Sequence, residues 1–85
     1  MITFRYEVKD QAGLHARPAC LLAREAKKYQ SSIIIQRGER EANALQLMEL
    51  MNLSVNCGEE ITVRIEGEDE KAAGEGMRRF FEEVM

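Results

Sequence analysis

At 85 residues the chain has the length of one small domain, residues 1–85, with a modest core and no need of disulfide staples. Its formal net charge of −3, from 12 basic and 15 acidic residues, lacks the basic surplus of a general nucleic-acid binder. No apolar run approaches the roughly 20 residues of a membrane span, and residues 1–5 do not read as a signal peptide, so a cytoplasmic protein without direct membrane insertion is expected.

In chain order, Thr3-Phe4-Arg5-Tyr6-Glu7-Val8 alternates apolar and charged residues, which predicts a half-buried strand with Phe4, Tyr6 and Val8 inward. Lys9 to Ala12 is a polar connection. It delivers the chain to Gly13-Leu14-His15-Ala16-Arg17-Pro18-Ala19, which holds the sole histidine and the sole proline. Gly13 supplies backbone freedom for a tight approach. Pro18 is tolerated in the first turn of a helix, and residues 19–28 are strong helix formers. His15 is therefore expected at the N-cap.

That placement carries chemistry. The first amides of a helix lack intrahelical acceptors, and the dipole adds partial positive charge. The amides at Ala16 and Arg17, together with the Arg17 guanidinium, would neutralise the oxygens of a phosphoryl group. An ordinary imidazole is largely neutral and nucleophilic at neutral pH. His15 is thus a candidate covalent acceptor and Arg17 its phosphate-stabilising partner. The plainer alternative is a histidine that serves only as a polar cap.

Within this helix Ala19, Leu22, Ala23 and Ala26 recur at core-facing spacing. Arg17, Cys20, Arg24 and Lys27 recur on another face, as the rim of a docking surface whose positive charge would steer acidic partners. Cys20 and Cys57 read as two reduced thiols. A metal or redox site on His15 and Cys20 would offer two ligands where four are usual, so no metal is expected.

Ser32 to Gln36, rich in isoleucine, predicts a strand that turns at Arg37-Gly38-Glu39 into a returning strand over residues 40–43. Residues 45–53 read as a short helix with Leu50 and Leu53 toward the core. Leu47, Met48 and Met51 would make it apolar nearly all round, so they are either packed inside or an exposed patch for several partners. Asn56-Cys57-Gly58-Glu59 is a turn, and Glu60 to Glu66 alternates cleanly as a strand. Gly67-Glu68-Asp69 breaks it, and Asp69 or a neighbour is expected to cap a last helix burying Ala73, Met77, Phe80, Phe81 and Val84. Gly74 and Gly76 sit inside that helix at a cost of about 1 kcal/mol each relative to alanine. The succession βαββαβα predicts an α+β fold, a four-stranded antiparallel sheet with three helices on one face. Arg5, Glu7, Thr62 and Arg64 then meet water on the other face.

The Gly-x-His-x-Arg-Pro-x segment resembles the phosphorylation-site signature of HPr, the histidine-containing phosphocarrier family of the bacterial phosphoenolpyruvate:sugar phosphotransferase system. The likeness continues through Asn43-Ala44, residues 47–53 and Gly67-Glu68-Asp69-Glu70, across essentially the whole chain. It implies an open-faced β-sandwich. It also implies a carrier, not an enzyme, that takes a phosphoryl group from enzyme I on Nδ1 of His15 and passes it to an enzyme IIA domain. No cofactor is implied, and one small domain with a partner-facing patch suggests a monomer. The resemblance favours Leu47, Met48 and Met51 as an exposed docking patch beside the Cys20, Arg24 and Lys27 stripe. Many Gram-positive members carry a regulatory serine where this chain has Gln46, after Leu45 and before Glu49. Gln46 has no hydroxyl, so that switch cannot operate here. The alternative role is an HPr-like regulator of a transcription factor or metabolic enzyme; the known regulator of that kind lacks the histidine this chain keeps.

Overall fold

Alternation along the sequence becomes an antiparallel sheet in the computed structural model, which describes residues 1–85. The elements are β1 (Ile2–Glu7), α1 (Ala16–Ala26), β2 (Ser32–Arg37), β3 (Arg40–Asn43), α2 (Leu47–Asn52), β4 (Glu60–Glu66) and α3 (Glu70–Val84). The strands lie in the order β1-β4-β2-β3, with β4 in the middle and β1 and β3 at the edges. Phe4 faces Val63 across β1 and β4, and Ile35 faces the same Val63 from β2. Because the side-chain period of a strand is two, this register gathers Phe4, Ile33, Ile35, Ile61, Val63 and Ile65 on one buried face.

The helices cover that face. α1 buries Pro18, Ala19, Leu22 and Ala26, and α3 buries Ala73, Gly74, Met77 and Phe81. Phe81 is the centre of an aromatic cluster, with its ring centroid 6.1 Å from Phe4 and 5.4 Å from Tyr6. On the open face the Arg64 guanidinium donates to Gln36 and Glu41, each at 2.7 Å, so the polar alternates bond one another.

Several expectations need correction. Phe80 and Val84 are only half-buried. The i, i+4, i+8 row Ala73, Met77 and Phe81 takes the sheet-facing position, which leaves Phe80 and Val84 at the side, in a groove beside Leu21 of α1. The short helix starts at Leu47, two residues later than its apolar run suggests. Asn43 closes a turn there: its Oδ1 accepts the Leu45 amide at 2.9 Å, and its own amide donates to Glu49 at 3.0 Å. Asp69 stands at the N-cap of α3 but makes no side-chain cap bond. Its carboxylate instead accepts the amides of Gln30 and Ser31 at 2.9 Å, and the Ser31 hydroxyl. These bonds tie the α1–β2 connection to the start of α3.

The two glycines of α3 have packing reasons. A β-carbon at Gly74 would lie 3.0 Å from Cγ2 of Ile2, and one at Gly76 would overlap the Tyr29 hydroxyl. Both let neighbouring elements approach the helix backbone closely.

Candidate functional site

The loop that presents His15 is sewn to the connection before β4. Arg37 grips Glu59 with two bonds, Nε to Oε1 at 3.2 Å and Nη2 to Oε2 at 2.8 Å, and donates Nη1 to the Leu53 carbonyl at 3.2 Å. That guanidinium, with the Asn56 amide, holds the Glu59 carboxyl below the usual range. The connection so fixed offers the Val55 carbonyl to the Leu14 amide at 2.9 Å, and the Gly58 amide to the Val8 carbonyl at 2.8 Å. Gly13 has φ +69°, and a β-carbon there would run into the Val55 carbonyl. The tight approach thus requires glycine at this position. Leu14 is buried as the anchor, and the next residue turns outward.

His15 occupies the N-cap of α1 with extended backbone, φ −93° and ψ −173°, and its carbonyl accepts the first intrahelical bond from Ala19 at 3.0 Å. Its side chain makes no cap bond and is 43% exposed, enough for a partner to reach the ring. The amides of Ala16 and Arg17 find no acceptor within the protein, and Pro18 has none to offer. Arg17 is exposed and enters no ion pair, in contrast to Arg37 and Arg64, which are committed to Glu59 and Glu41. These donors adjoin an open depression of about 290 Å³ lined by His15, Arg17, Pro18 and Leu21, with Asp10, Glu83 and Val84. An anion seated there would meet two free amides, a free guanidinium and an imidazole.

The sequence assigned no site role to Asp10, Glu83 or Val84. Asp10 carries a usable signal, since an aspartate two residues before an amide it can bind, in a connection leading to glycine, marks an Asx turn. The Ala12 amide does donate to Asp10 at 2.9 Å. Glu83 and Val84 arrive from the far end of α3, which no local pattern announces.

Cys20, Arg24 and Lys27 are exposed along α1. Neither Arg24 nor Lys27 enters an ion pair, whereas Lys28 is engaged with Glu25 at 3.0 Å. α1 packs against α2, whose Leu47, Met48 and Met51 are 37%, 68% and 37% exposed, while Leu50 is fully buried. The apolar surplus of α2 is therefore divided, one residue of the helix inward and three outward. Both cysteines are free thiols, and no three histidine, cysteine, aspartate or glutamate side chains are grouped to hold a metal ion.

A family model described as the PTS HPr component phosphorylation site matches residues 2–83. The chain belongs to the HPr family. Among HPr-family relatives, the HPr-like protein Crh of Halalkalibacterium halodurans is 40% identical over 82 residues, covering 96% of this chain and 98% of the relative. The solved structure of a Mycoplasma histidine-containing phosphocarrier protein superposes with a TM-score of 0.93 at 34% identity, over 98% of this chain and 94% of the other. Bacillus subtilis Crh, solved as a dimer with a swapped domain, superposes with a TM-score of 0.77 at 36% identity, over 98% and 95% of the two chains. The four-stranded antiparallel sheet and the three helices are thus those of an HPr fold.

Proposed function

We propose that this chain is a phosphoryl carrier of the phosphotransferase system, accepting a phosphoryl group from enzyme I on His15 and yielding it to an enzyme IIA domain. The observation that carries the reading is the exposed His15 ring at a helix start where two amides and the Arg17 guanidinium have no other partner. These groups supply charge stabilisation that is in place before the phosphoryl group arrives. Hydrogen bonds from the Ala16 and Arg17 amides and from the guanidinium would hold the phosphate oxygens while the imidazole holds phosphorus. The protein is a co-substrate in this role, consumed and regenerated by the enzymes on either side.

Docking falls to the face formed by α1 and α2. Leu47, Met48 and Met51 supply an adaptable apolar centre, and Cys20, Arg24 and Lys27 a positive rim suited to acidic partners. A monomer serves this role. The swapped dimer of Bacillus subtilis Crh makes light scattering of the purified chain the matching measurement.

Crh-type relatives support a second reading, a regulator that binds a transcription factor or an enzyme by the same face. The retained His15 favours the carrier, and Gln46 at the serine position leaves no hydroxyl for a kinase switch. Incubation with phosphoenolpyruvate and enzyme I, followed by intact-mass measurement, separates them. Gain of one phosphoryl group supports the carrier, and an unchanged mass sinks it.

A further inference from the structure

Asp10 is the charged residue nearest the His15 ring that the carrier reading leaves without a task. Its Oδ1 stands 3.7 Å from Nε2 of His15. The residue is held at both side chain and backbone: Oδ1 accepts the Ala12 amide at 2.9 Å, and the Asp10 main-chain amide donates to the main-chain oxygen of Met85 at 2.8 Å. A separation of 3.7 Å is within ion-pair reach and beyond a hydrogen bond. Such contacts commonly tighten only when the partner arrives. Arg17 and Glu83 are the other charged groups facing the same depression.

The geometry points to Asp10 as a positioning residue that keeps the ring proton on Nε2 of His15, leaving the Nδ1 electron pair free for the incoming phosphoryl group. This rests on the carrier reading and adds to it the residue that fixes the tautomer of the ring. A neutral imidazole has one N–H, and the partner of one nitrogen decides where that proton sits. A carboxylate beside Nε2 favours the N–H there. In the step itself, the Nδ1 pair forms the new bond to phosphorus while the donor's bond breaks and its pair leaves with the donor. The ring then carries a positive charge with Nε2–H in place, facing the Asp10 carboxylate. On onward transfer the Nδ1–P bond breaks, its pair returns to Nδ1, and the ring is neutral again. The proton stays on Nε2 throughout, so no separate base is needed.

The test is the tautomer ratio of His15, read from ring nitrogen-15 shifts of the unphosphorylated protein at about pH 9, where an imidazole is neutral. Asp10→Asn and Asp10→Ser both keep an oxygen for the Ala12 amide and remove the charge. The ratio of Nε2–H to Nδ1–H should fall about 1.4- to fivefold in both variants, the range of an exposed charge contact. Phosphoryl uptake from enzyme I, the step that uses the free Nδ1 pair, should slow in both variants. An unchanged ratio in both variants overturns the proposal, and so does a fall confined to one, which would belong to that side chain's own bonding and not to lost charge. Wild-type protein that takes up no phosphoryl group would sink the carrier reading instead, and the tautomer result would stand apart from it.

Discussion

The Tyr29 side chain lies over the α-carbon of Gly76, and its hydroxyl fills the space that a β-carbon there would need. The same hydroxyl donates to Glu25 at 3.2 Å, which fixes the ring between α1 and α3. An exposed helical glycine replaced by alanine normally gains about 1 kcal/mol. Gly76→Ala is expected to lose stability instead, by about 1 kcal/mol, because the added methyl meets a stiff ring. In a Tyr29→Ala background the same change should turn stabilising. Urea melts of the four proteins check the reversal of sign, and equal effects in both backgrounds would refute the packing account.

The bonds from Ser31 and Gln30 to Asp69 give the second prediction. The Ser31 hydroxyl first, then the Gln30 and Ser31 amides, hold the Asp69 carboxyl below its ordinary range. A carboxyl with a lower pKa folded than unfolded contributes stability that is full above the unfolded value of about 3.9. That contribution is lost as pH falls through the folded value. Asp69→Asn should therefore be less stable than wild type at pH 7, with the gap narrowing as acid is added between about pH 5 and pH 2. Denaturant midpoints measured across that range decide it.

At the candidate site, His15→Ala is expected to abolish labelling from phosphoenolpyruvate and enzyme I. Arg17→Ala should keep labelling but slow it about tenfold or more, through loss of a charge-assisted donor. Neither change should alter stability by more than about 0.5 kcal/mol, since both side chains are exposed. Stoichiometric labelling of the His15→Ala protein would rule out His15 as the acceptor.

On the proposed docking role, the divided face of α2 separates partner binding from folding. Met48→Ala should leave the denaturant midpoint within about 0.5 kcal/mol of wild type while weakening partner binding about fivefold or more. Leu50→Ala, at a fully buried position, should cost about 2–5 kcal/mol of stability. Calorimetric titration against a partner, run beside the melts, checks both. A Met48 variant with lost stability and intact binding would reverse the assignment.

Strands whose apolar residues alternate were legible in the sequence, and β4 runs from Glu60 to Glu66 as its pattern predicts. His15 at the start of α1 was legible too, because Pro18 admits few positions in a helix. What escaped were contacts between residues far apart in the chain. Asp69 looks like a helix cap until Ser31, 38 residues away, competes for its oxygens. Gly76 looks like a helix defect until Tyr29 is placed above it. At the site, Glu83 joins His15 only through the packing of α3 beside α1, and no periodicity encodes that meeting.

The Met85 main-chain oxygen accepts the amides of Lys9 and Asp10 at 2.7 and 2.8 Å. Met1 lies beyond the opposite end of β1, about 20 Å off for a strand of that length. On the proposed carrier role, a purification handle, fluorophore or fused protein attached after residue 85 would emerge next to the histidine and shade it from the enzymes of the relay. One joined ahead of residue 1 would trail from the remote end of the sheet and leave traffic at the ring undisturbed.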